Sequence, residues 1–201
     1  MSSSDVKKNV DQAWDAVGTH LHKTGFRKQS KLRYAKALGK EIDHFVIASR
    51  YQHNNLLVLD IGLAVRCNPL EEIFRTRVPN LDKHFFTNVT TLVHLLNHHG
   101  KDRGNEDYAV LDSHRLAELI CRDFDDYAGR FFDPQTDMAG VLNYLESEPR
   151  IAGSTIRRAS IAGLQFLTGQ RDKAREAVEA PSFGANNIFE KAIRAHIEDA
   201  G

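Results

Sequence analysis

Val6, Val10, Trp14, Val17 and Leu21 recur at steps of three and four, the spacing of a helix with one buried face. Residues 5–23 are therefore expected to form an amphipathic helix, capped by Ser4 or Asp5 and stopped by Gly25. The basic run Arg27-Lys28-Gln29-Ser30-Lys31-Leu32-Arg33-Tyr34 reads as an edge strand with its charges outward, and Lys36 and Gly39 suggest a turn after it. Residues 42–51 and 56–66 are rich in branched and aromatic side chains and flank His53-Asn54-Asn55, which predicts a β-hairpin. On its second strand Leu57, Leu59, Ile61, Leu63 and Val65 share one face, opposite Val58, Asp60, Gly62, Ala64 and Arg66. A sheet with one buried side is expected, ending at Pro69.

Residues 70–112 carry a mixed pattern. Leu70 to Phe74 fits a helical turn. Between Asn88 and His99 the β-branched Thr90, Thr91 and Val93 favour a strand and Leu92, Leu95 and Leu96 a helix, of which the helix is preferred. Residues 100–107 read as a polar loop and 108–111 as a last strand. From Ser113 the period is helical throughout. Leu116, Leu119, Ile120, Phe124, Tyr127 and Phe131 make one stripe behind Asp112 or Ser113, and Met138, Val141, Leu142 and Leu145 a second behind Thr136 or Asp137. Three more helices follow, around Ile156–Leu167, Ala174–Val178 and Ile188–Ile197. Strands followed by a run of helices define the α+β class: an N-terminal helix and small antiparallel sheet, then a C-terminal helical bundle. The 201 residues divide by pattern into a sheet region, 1–112, and a helical region, 113–201, packed on it in one domain.

Composition narrows the function classes. With 41% hydrophobic and 27% charged residues the chain can bury a core, and 27 basic against 27 acidic side chains remove the excess positive charge of a general nucleic-acid binder. Cys67 and Cys121 form no close pair, as in a reducing compartment; no apolar leader opens the chain and apolar runs stop after about four residues, so a cytoplasmic location without a membrane partner is expected. The charge is balanced only in sum. Residues 1–40 hold nine Lys and Arg against three Asp and Glu, whereas residues 101–149 hold five against twelve, a pattern suited to electrostatic steering of a partner.

The acidic segment supplies the candidate partner-binding residues: Asp102, Glu106 and Asp107 in the loop, and Asp123 and Asp126 on one side of the following helix, where solvated carboxylates are expected. Histidines supply an alternative. On a helix His94 and His98 lie one turn apart, as zinc ligands can, with His99 adjacent and Asp102 or Glu106 as a third donor. Leu95 holds the position where a zincin has its glutamate, and no metal site is assigned. Arg27, Lys28, Lys31 and Arg33 could track a phosphate backbone, with Tyr34 as the one aromatic for base stacking. No nucleophile elbow, phosphate-cradling loop or dinucleotide fingerprint occurs, and nothing near Cys67 lowers a thiol pKa, so no catalytic residue or cofactor is assigned and an enzyme is the less favoured reading.

Two stretches resemble known families. A helix, then Thr24-Gly25-Phe26-Arg27-Lys28, then strands ending in Leu59-Asp60-Ile61-Gly62-Leu63, resembles a family of uncharacterised bacterial domains over residues 10–66. That resemblance implies a small cytoplasmic bacterial protein without known catalytic residues, in a family of which some members are similar to the proteins that neutralise partner toxins. Residues 161–174, with Ala162, Gly169 and Ala174 in register, are similar to the inner part of one tetratricopeptide repeat; a single copy implies an ordinary helical hairpin. The leading expectation is an immunity-like protein that occludes a basic protein partner. The alternatives are a metal-dependent hydrolase using His94 and His98, and nucleic-acid binding through residues 27–33.

Overall fold

The computed structural model describes residues 3–53, 56–82, 85–109, 112–148, 154–184 and 187–200. Helix α1, Ser3–Lys23, is followed by strands β1 (Arg27–Ser30), β2 (Arg33–Leu38), β3 (Ile42–His53) and β4 (Leu56–Cys67), helix α2 (Asn68–Arg77) and strand β5 (Asn88–Thr91). Helices α3 (Leu92–His98), α4 (Ser113–Phe132), α5 (Met138–Ser147), α6 (Ser154–Leu167), α7 (Arg171–Glu179) and α8 (Ile188–Asp199) complete the chain. The strands form one antiparallel sheet in sequence order, so the fold is α+β with an N-terminal helix, a sheet and then helices.

Four sequence expectations are corrected. Residues 27–34 are not one strand. The chain turns at Lys31-Leu32, where the Lys31 carbonyl accepts the Trp14 indole N–H at 3.0 Å and the Leu32 carbonyl accepts the Ala48 amide at 2.8 Å; neither residue advertises a turn. All four β1 residues are exposed, and this short, charged, bulged strand is the edge of the sheet. Residues 88–99 are half strand and half helix: Thr91 ends β5 and caps α3, its hydroxyl accepting the His94 amide at 3.1 Å. The expected strand at 108–111 is reduced, among the described residues, to a bridge between Ala109 and Val58, because Asn105–Tyr108 is a 3₁₀ turn; Val110 and Leu111 lie outside the described residues. Finally, β4 buries more than one face, since Val58 and Ala64 are covered along with Leu59, Ile61, Leu63 and Val65.

The chain groups into two compact units, each assembled from separated stretches: residues 1–36, 44–64 and 90–133, and residues 37–43, 65–89 and 134–201. This grouping follows contact, whereas the 1–112 and 113–201 regions of the sequence follow period. In the first unit α1 lies along α4, and Trp14 meets Tyr34 edge-on at 5.5 Å between ring centres. Phe26 packs against Phe124 and Phe132, and buried His44 stacks on Phe132 at 4.5 Å. Gly18 is the close approach that admits Tyr34: a β-carbon there would collide with its ring.

In the second unit α5 and α8 start where the pattern expects, and α6 and α7 start earlier than their apolar stripes, at Ser154 and Arg171. Asp137 accepts the Gly140 amide at 2.7 Å and Asn187 accepts that of Phe189 at 2.9 Å. The repeat-like segment is a helical hairpin, with Gly169 at φ +83° between α6 and α7, and with Ala162 and Ala174 fully buried. Gly163 brings α6 against Leu70 of α2 and Ile193 of α8. Among the described residues no helix is long and apolar enough to cross a membrane.

Candidate functional site

The acidic loop lies in the first unit and is folded by its own side chains. Asn97 closes it with a reciprocal amide pair, donating Nδ2–H to the Arg103 carbonyl at 2.9 Å and accepting the Arg103 amide at 2.8 Å. The Arg103 guanidinium then reaches α4, where Nε and Nη2 each donate to a different oxygen of Asp123 at 3.2 Å. The Tyr108 hydroxyl donates to Asp123 Oδ2 at 3.0 Å. Asp123 is 4% exposed and Tyr108 1%, so this clamp is a buried, charge-assisted pair with a third hydrogen bond. Burial, reinforced by the Asp123 charge, pushes the Tyr108 hydroxyl far above its ordinary value, and the hydrogen bond to Asp123 raises Arg103 further; both groups stay protonated.

The expected site residues therefore divide. Asp102, Asp107 and Asp126 are exposed, although Asp107 also accepts the Gly104 amide at 3.0 Å. Asp123 is corrected: it does not share a solvated side with Asp126 but points into the core and is neutralised there. The side chain of Glu106 lies outside the described residues. Neighbouring Asp125, also exposed, meets His20 Nε2 of α1 at 2.7 Å.

Among the described residues the alternative centres do not assemble. His94, His98 and His99 are exposed, α3 ends at His98, and Arg130 places Nη1 3.3 Å from His99 Nδ1, a permanent positive charge opposing a cation there. Among the described residues no group of three or more His, Cys, Asp or Glu could hold a metal ion. On the basic side Lys28 pairs with Asp15 at 3.4 Å, Lys31 with Asp11 at 3.0 Å, and Arg50 also with Asp11. Tyr34, the expected stacking residue, is 2% exposed and belongs to the core. Burial pushes the thiols of Cys67 and Cys121 each up to about 11, so neither is a ready nucleophile at neutral pH.

The clamp escaped the sequence reading, yet it left a trace. Asp123 occupies the apolar stripe of α4, three residues after Ile120 and four before Tyr127, where an acid must be buried with a partner. Which of the upstream bases supplies that partner is set by the loop. No protein-family model, curated protein or solved structure matches the chain.

Proposed function

We propose that this protein binds a basic protein partner through the surface carrying Asp102, Asp107 and Asp126, and that it inhibits the partner by covering its functional site, as an immunity-like protein does. The supporting observation is the Arg103–Asp123–Tyr108 clamp. Asp102 lies beside Arg103, Asp107 beside Tyr108, and Asp126 one turn beyond Asp123, so the clamp fixes the backbone that presents all three exposed carboxylates. Pre-ordered charge loses little conformational entropy on binding and accelerates encounter with an oppositely charged surface.

The test begins with cross-linking in the source cell to identify a stoichiometric partner, followed by stopped-flow association and an assay of that partner's own activity. Asp102→Lys with Asp126→Lys is expected to slow association about tenfold or more at low salt, to flatten its salt dependence and to relieve inhibition. An unchanged association rate would reject the acidic surface, and a partner that stays active in the complex would reject inhibition.

A further inference from the structure

In the second unit helices α7 and α8 border an open cavity of about 460 Å³. Buried Val178 and Ile197 form its apolar floor with Pro181 beside them, and Arg175, Glu179, Arg194 and Glu198 supply the charges. Each helix contributes an arginine and, one turn later, a glutamate, the less favourable order for a helical ion pair. Neither pair closes: Arg175, Glu179 and Glu198 take part in no hydrogen bond or ion pair with the described residues.

Arg194 is held differently. Its Nε and Nη2 both donate to the carbonyl of Val178, at 3.0 and 2.6 Å, and Nη2 also reaches those of Ala180 and Phe183. The guanidinium is thereby locked at the C-terminal end of α7 and stacked near Phe183, with Nη1 given no acceptor among the described residues. A fixed arginine, a free arginine and two free glutamates thus surround an apolar floor, with no net charge among them.

That arrangement selects its ligand by exclusion. A phosphate or other simple anion would gain the arginines and be opposed by both glutamates; a simple cation meets the reverse. A purely apolar molecule would use the floor alone and leave the surrounding charges unengaged. A dipolar molecule satisfies all of them: its carboxylate on Arg175 and Arg194 Nη1, its ammonium on Glu179 or Glu198, and its hydrocarbon part on Val178 and Ile197. We infer that the α7–α8 cavity binds a small zwitterion with an apolar body, of the class of a free aliphatic amino acid.

The test is a titration of the ¹⁵N-labelled full chain with L-leucine, N-acetyl-leucine and leucinamide, followed by NMR. L-Leucine is expected to move the α7 and α8 amides saturably, and each derivative, lacking one charge, to bind at least about tenfold more weakly. Arg175→Gln and Glu198→Gln are exposed changes expected to weaken leucine binding by a similar factor. Glu176→Gln, on α7 but outside the lining, should leave it unchanged. No saturable shift with leucine, binding of either derivative as tight as that of leucine, or full binding by Arg175→Gln with its spectrum otherwise intact would each overturn the inference. None of these outcomes bears on the acidic surface.

Discussion

Tyr108 donates its one hydroxyl proton to a carboxylate that is already paired, so removing it separates the hydrogen bond from the ion pair. Tyr108→Phe is expected to lower stability by about 1–3 kcal/mol, and Asp123→Ala, which leaves both Arg103 and the Tyr108 hydroxyl without their acceptor, by about 3 kcal/mol or more, read by urea denaturation. Asp60 on β4 behaves oppositely. Burial raises its pKa, and the Ser49 hydroxyl at 3.5 Å and the Ile61 amide only partly offset this. Both folded and unfolded forms are protonated at low pH, so the penalty is absent there. It develops as pH rises above the unfolded value near 4 and is complete above the folded one. Asp60→Asn is therefore expected to raise the melting temperature at pH 7 and to change it little at pH 3. An equal shift at both pH values would show that the charge is not responsible. Residue types alone located these acids but could not rank them, because a carboxylate's cost or benefit depends on which donors the fold brings to it.

Helix contacts in the second unit can be ordered by what a methyl group would strike. At Gly140 a β-carbon would run into the Pro134 carbonyl, a backbone atom of the turn before α5, and press on the capping Asp137 carboxylate at 3.3 Å. At Gly163 it would meet Leu70 Cδ1 at 2.5 Å and Ile193 Cδ1 at 2.9 Å, the ends of side chains that can rotate away. Alanine gains up to about 1 kcal/mol over glycine within a helix. Gly140→Ala is nevertheless expected to destabilise by about 2 kcal/mol, and Gly163→Ala by about 1 kcal/mol or less, compared by thermal unfolding. Reversal of that order would place the tighter contact at Gly163. The helices themselves were legible in advance, and α4 and α5 begin behind Asp112 and Asp137, expected caps whose side chains each accept a first-turn amide; the Asn187 cap of α8 was found only in the structure. Thr91 shows where such legibility stops, since one residue serves as strand former and helix cap and only the paired structure decides between them.

For the molecule as a whole, zero net charge conceals a local division, and the fold uses that division partly for itself. Asp11 and Asp15 of α1 take up Lys31, Arg50 and Lys28, while Asp123 takes up Arg103. Asp102 and Asp126 remain exposed. A partner attracted by what remains should associate more slowly as salt rises toward 0.5 M, because exposed charges are screened over less than about 10 Å; a rate indifferent to salt would count against steering. Sequence by itself determined the α+β class, the N-terminal helix, the β3–β4 hairpin and the five helices from Ser113 onward. These follow from local period and capping, which each segment carries within itself. Tertiary structure alone decided that Tyr34 is core, that Asp123 is a clamp and not a contact, and that four charges of α7 and α8 surround one cavity. Each of those depends on residues distant in the chain meeting at a few ångströms, which no local pattern encodes.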